Sequence, residues 1–200
     1  MRSLLAAGAL SVLLLGSAQQ AAARPQAMQV PQKQQLSRFL RHAAVRSLPA
    51  RPQRSNDALR VLERDVLARI NAQRGSRALR PLRLSRGLDA AAAYHSREMG
   101  TQGFFEHESM NGAPFWKRIE RFYPMGRSTW SVGENIFWES PNSSAASTVH
   151  EWMTSPPHRA NILAPEWRDI GIGAVHMATA RGAYGGRAVT IVTADFGVRT

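Results

Sequence analysis

Apolar residues recur along this chain with two different periods, and the change of period divides it. Leu59, Leu62, Val66 and Ile70 stand three or four residues apart, the spacing of one helix face, and predict an amphipathic helix over 57–73. Ser55 or Asn56 suits its N-cap and Gly75 its stop. The segment "LRPLRLS" reads as a connector that buries Leu82 and Leu84. A second helix, "GLDAAAAYHSREMGTQG", opens at Ser85 or Asp89 and ends at Gly100 and Gly103. It places Leu88, Ala92, His95 and Met99 on one face. Residues 104–113 read as loop, and "PFWKRIERF" as a short helix with Pro114 at its first position. "SVGENIFWES" has the apolar company of a strand entering a core. "SSAASTVHEWMTS" is a third main helix, which Pro156 and Pro157 interrupt, because an interior proline removes a hydrogen bond and clashes with the preceding turn. "DIGIGAVHMA" and "RAVTIVTADFG" read as two strands joined through the turn glycines of "RGAYGG". Helices first and a hairpin last predict a layered α+β domain.

The N-terminal quarter follows neither period. Residues 1–23 carry Arg2, an apolar run from Leu4 to Leu15 and the small residues Ala21 to Ala23, the pattern of a secretory signal too short to span a bilayer. Residues 24–55 are rich in Gln, Pro and Arg, without an acidic residue, and read as a basic flexible linker with one short helix at 35–47. The folded domain is then expected over 56–200, in a protein exported to the periplasm or beyond the cell, with no transmembrane segment in the mature chain. Cysteine is absent, which excludes disulfides, thiol nucleophiles and thiolate metal sites. The net charge of +12 favours anionic partners, among them envelope polymers met by the 24–55 arm; specific nucleic-acid binding is not expected.

Glu134 is the anomaly in the pattern, since an ionised carboxylate among Val132, Ile136, Phe137 and Trp138 needs a partner. Of the six histidines, His42 reads as solvated, His176 as structural, His150 as one of a surface pair with Glu151, and His95 as a hydrogen-bonded core residue. His107 and His158 follow glycine or proline at points where the backbone must be aimed. Two neutral imidazoles with Glu134 make a three-donor set suited to a divalent cation such as Zn²⁺, although no compact metal signature is present. The alternative for Glu134 is a structural carboxylate that binds loop N–H groups. Trp152 reads as core, and Trp116 and Trp138 as borders of the cleft.

The stretches "FFEHES", "GENIFW", "EWMTSPPHRANIL" and "DIGIGAV", in that order, resemble the CAP superfamily of cysteine-rich secretory, antigen 5 and pathogenesis-related 1 proteins, in its bacterial cysteine-free branch. The resemblance covers about residues 58–198. It implies a three-layer α-β-α sandwich with a central antiparallel sheet, and a shallow cleft of two histidines and two acids where some members bind zinc. Carried over, these are His107, Glu134 and His158; the second acid falls on Ser155, with Glu151 one turn earlier on the same helix. Pro157 replaces a usual glycine, and "TADFG" lacks a common glutamine. The favoured function is a secreted binding module for a lipid, glycan or protein. The alternatives are a metal-dependent hydrolase or peptidase and a basic envelope-adhesion protein. Ser155 has no nucleophile elbow, and no catalytic residue is assigned.

Overall fold

The structure, a computed structural model, describes residues 52–199 apart from Ser128, with side chains from residue 56. The expected signal, most of the basic arm with its 35–47 helix, and His42 lie outside the described residues. Among the described residues, five α-helices and four strands follow in the order α1 (Pro52–Gly75), β1 (Arg83–Leu84), α2 (Arg86–Gln102), α3 (Phe115–Phe122), β2 (Trp130–Glu139), α4 (Ala145–Thr154), α5 (Pro156–Leu163), β3 (Asp169–Ala180) and β4 (Arg187–Arg199). The sheet order is β1-β3-β4-β2. It is antiparallel except at β1, whose two residues run parallel to the start of β3.

Alternation along β4 sorts the layers. Val192, Ala194 and Phe196 face a core built from Val66 and Ile70 of α1, Val149 and Trp152 of α4 and Ile162 of α5. The intervening residues face α2 and α3, where Leu88, Ala91, Ile119 and Tyr123 make a second core. The domain is therefore an α-β-α sandwich, with α2 and α3 on one face and α1, α4 and α5 on the other. The alternating glycines of "DIGIGAV" set how closely α2 lies: a Cβ on Gly171 would stand 2.0 Å from the Leu88 carbonyl carbon, and one on Gly173 2.1 Å from the Ala93 nitrogen. Only hydrogen fits there, so the helix backbone can rest directly on β3. Arg74, fully buried, donates to the carbonyls of Arg80, Ile162 and Ala164 and so satisfies the carbonyl end of α5.

Several local expectations need correction. Leu84 is exposed, because β1 pairs with β3 by its backbone at the sheet margin and turns this side chain outward. Gly100 lies inside α2, which stops at Gly103 in the left-handed conformation. The first helix starts earlier than expected, at Pro52. Pro114 is the N-cap of α3 rather than its first residue. Pro156 and Pro157 start a helix instead of breaking one: α4 ends at Thr154, Ser155 caps both helices, and the prolines occupy the first turn of α5, where a missing N–H leaves nothing unsatisfied.

Candidate functional site: a buried glutamate between two histidines and an arginine

Three elements place the site. The loop 104–113 carries His107, β2 carries Glu134, and the first turn of α5 carries His158. The loop is held at its start by the β3–β4 hairpin: Tyr184 donates to the Phe104 carbonyl at 2.8 Å and the Ala183 N–H to the Gly103 carbonyl at 2.9 Å. The start of α5 is tied to β2 by two asparagines. Asn135 Nδ2 donates to the His158 carbonyl at 3.0 Å, and Asn161 Nδ2 to the Glu134 carbonyl at 3.0 Å and to Asn135 Oδ1 at 2.9 Å.

Glu134 is almost completely buried and ionised. His107 Nδ1–H donates to its Oε1 at 2.8 Å, and Arg118 Nη2 pairs with its Oε2. Burial alone would raise its pKa; the His107 bond and the Arg118 charge outweigh that and hold it below the ordinary 4.5. Arg118 is equally buried, and its Nη1 donates to the His107 carbonyl at 3.2 Å, so one guanidinium grips both the carboxylate and the loop. His107 itself is 43% exposed. With its Nδ1 proton committed to Glu134, its Nε2 lone pair is turned to whatever enters the cleft. The His158 ring centroid is 6.5 Å from that of His107; burial first, then repulsion between the two rings when both hold a proton, lowers the His158 pKa.

Of the three residues that sequence reasoning singled out, His107 bonds directly to Glu134, and its ring centroid lies 6.5 Å from that of His158. That reasoning missed two buried residues beside them, Arg118 and Asp195. Arg118 was legible in principle, because Phe115, Arg118, Ile119 and Phe122 recur at helical spacing and an arginine on that face needs a buried acid. Asp195 lies opposite Glu134 in the β2–β4 register, fully buried, and neither of its oxygens has a hydrogen-bond partner among the described residues. Burial, then the Glu134 charge, raises its pKa well above 3.8. One guanidinium can compensate one carboxylate, and Glu134 has it. His95 is the hydrogen-bonded core residue expected, with Nε2–H donating to the Glu106 carbonyl at 2.9 Å, yet it also stands 3.9 Å from Glu134.

Ser155 is the shared cap of α4 and α5, and Glu151 stands exposed on α4. Among the described residues, no three His, Asp or Glu side chains are grouped as a cation's ligands. Trp138 packs edge-on against Tyr184 at 5.3 Å, and Trp116, on α3, is partly exposed.

An antiparallel sheet between helical layers, with a histidine bonded to a glutamate held in the sheet and a second histidine beside the first, defines a cysteine-free SCP-type sandwich. Residues 67–196 match the family described as "CAP: Cysteine-rich secretory protein family", and the chain belongs to it. The uncharacterized protein YkwD of Bacillus subtilis (strain 168) is 33% identical over 114 residues, which is 56% of this chain; the chain spans 42% of that relative's length. Among solved structures, an extracellular SCP-domain protein from Bacillus anthracis str. Ames has a TM-score of 0.60 at 21% identity, covering 77% of this chain and 45% of that one. An outer surface protein from Borrelia burgdorferi has a TM-score of 0.52 at 17% identity, covering 68% of this chain and 90% of its own. At these identities the two structures establish the fold.

Proposed function

We propose that the protein is an exported binding module whose cleft offers His107 and His158 jointly to a divalent cation, Zn²⁺ being the ion that two imidazoles suit. The observation that carries this reading is the state of Glu134. Both of its oxygens are engaged, by His107 and Arg118, and its pKa is lowered, so it is poorly placed to act as a general base or as a third ligand. It acts instead as the carboxylate behind a ligating histidine: it fixes the His107 tautomer and aims Nε2 outward. A cation held there supplies a Lewis-acid attachment point for an oxygen of the ligand. Export is supported by the signal-like residues 1–23, by the extracellular and outer-surface descriptions of the two structural relatives, and by no described helix being long and apolar enough to cross a membrane.

Calorimetric titration with Zn²⁺ tests the reading. Wild type is expected to bind, with affinity falling on acidification because a ligating imidazole must be neutral, the lowered pKa of His158 delaying its own loss to lower pH. His107→Ala and His158→Ala should each abolish binding, and Glu134→Gln should weaken it about 10–100-fold, the usual effect of losing an outer-shell partner. A His107→Ala/His158→Ala protein that binds Zn²⁺ as tightly as wild type refutes the site.

A further inference from the structure

Large apolar side chains left exposed among the described residues fall into two groups. Val61 and Leu84 lie at the outer margin of the sheet, in a groove between α1 and β3. The other four are on or beside α3: Trp116 lies on it, Met110 and Met125 precede and follow it, and the Tyr94 ring sits 5.9 Å from that of Phe122. These four are between 38% and 62% exposed. Cations are seated among them. The Lys117 ammonium is 4.6 Å from the Trp116 ring centre, and the Arg121 guanidinium is 5.7 Å from both Tyr94 and Phe122. Glu120 shares this face and meets Lys117 at 3.5 Å, and the exposed Glu108 stands two residues before Met110.

The helix thus has two distinct faces. Phe115, Arg118, Ile119 and Phe122 turn inward, and Ile119 is fully buried. Trp116, Lys117 and Arg121 turn out. A surface that mixes Trp, Tyr and Met with Lys and Arg is built for an interface, where the apolar bodies sink to the boundary of headgroups and acyl chains and the cations stay with the phosphates. A soluble polyanion would satisfy Lys117 and Arg121 but leave Trp116, Met110 and Met125 in water. A bilayer surface covers both kinds of group. Lys117 and Arg121, set against Glu120, leave this face with a net positive charge that suits an anionic one.

We propose that the outer face of α3, together with Tyr94, docks the protein on an anionic lipid membrane. The inner face of the same helix holds the His107 loop through Arg118, so membrane contact and cleft wall are one element. This inference does not depend on a cation in the cleft, and its test uses none.

The full chain is mixed, with chelator present, with vesicles of phosphatidylcholine alone or with 30% phosphatidylglycerol. Sedimentation gives the partition coefficient and tryptophan emission reports contact. Wild type should bind the anionic vesicles, and its emission should shift to the blue. Lys117→Gln/Arg121→Gln should lower the partition about 30-fold, from roughly fivefold for each basic residue at such a surface. Trp116→Phe should keep most of the partition and lose most of the blue shift, a change that attachment through the basic arm would not produce. Circular dichroism establishes that the variants are folded. If the double Gln variant partitions as wild type does, or wild type binds with no spectral shift, or soluble polyphosphate produces the same shift as vesicles, α3 is not a membrane-docking face.

Discussion

Replacing Asp195 by Asn should stabilise this protein, increasingly so as the pH rises. Asp195 is fully buried, its oxygens have no hydrogen-bond donor among the described residues, and its neighbour across the strands is the ionised Glu134. Burial first, then that neighbouring charge, holds its folded-state pKa well above the 3.8 of an exposed aspartate. Between those two pKa values the folded protein keeps a proton that the unfolded chain has released, so stability falls as pH rises. The slope is about 1.4 kcal/mol per pH unit for one proton. Asparagine is nearly isosteric, neutral at every pH and free of this slope. The gap in unfolding free energy between Asp195→Asn and wild type should therefore widen by about 1.4 kcal/mol for each pH unit above pH 5, until the folded-state pKa is passed. Glu134 behaves oppositely: its lowered pKa contributes stability that is present above 4.5 and lost on acidification, and both proteins share that loss. Urea titrations at pH 5, 6, 7 and 8 measure the gap directly. A gap that stays constant across this range would mean that Asp195 is ionised in the folded protein and that the charge balance assigned to the cluster is wrong.

Two further outcomes rest on the same packing. Arg118→Leu strands Glu134 as an uncompensated buried charge and should destabilise the fold by about 3–5 kcal/mol, read from the urea midpoint; a loss under about 1 kcal/mol would mean that water already solvates the pair. Trp152→Ala removes a buried indole that packs in the main core and donates to the Ile136 carbonyl at 3.1 Å, and should cost about 3–5 kcal/mol by the same measurement, while an unchanged midpoint would contradict its placement in the core.

Periodic elements were legible because burial dictates them. The face of α2 through Leu88, Ala92, His95 and Met99 is completely buried, and the two-residue alternation of β3 and β4 sorts the layers as expected. Punctuation was harder to read. Proline and glycine mark a departure from the current element without specifying the next one, so Pro156 and Pro157 looked like a break when they begin α5, and Gly100 looked like a stop when its lack of a side chain admits Met177. At the site, His107, Glu134 and His158 were found because each is an odd residue for its surroundings and the family motifs coincide with them. Asp195 escaped because a lone acid near the end of an apolar strand reads as its polar margin. Only the β2–β4 register sets it against Glu134.

The sheet's edges explain how an ionised glutamate comes to be fixed in the interior. An unpaired strand edge invites pairing with another chain, and this fold closes both margins with side chains instead of strands. At β3, beyond the short β1, Asp89 of α2 accepts the Ile172 N–H at 2.9 Å and Glu63 of α1 accepts the Ala174 N–H at 2.9 Å. At β2 the polarity is reversed: donors cap carbonyls, Asn161 of α5 at Glu134 and Trp152 of α4 at Ile136. The β2 cap has a consequence that the β3 cap lacks. Asn161 lies one turn after His158 on α5, and Asn135, beside Glu134, bonds back to the His158 carbonyl. The bonds that close the edge therefore fix His158 relative to Glu134, while Arg118 fixes His107 relative to it from the other layer. Three elements distant in sequence meet around one residue because Glu134 sits on an edge strand that both helical layers cover: α5 holds its backbone carbonyl, and α3 and the His107 loop hold its carboxylate.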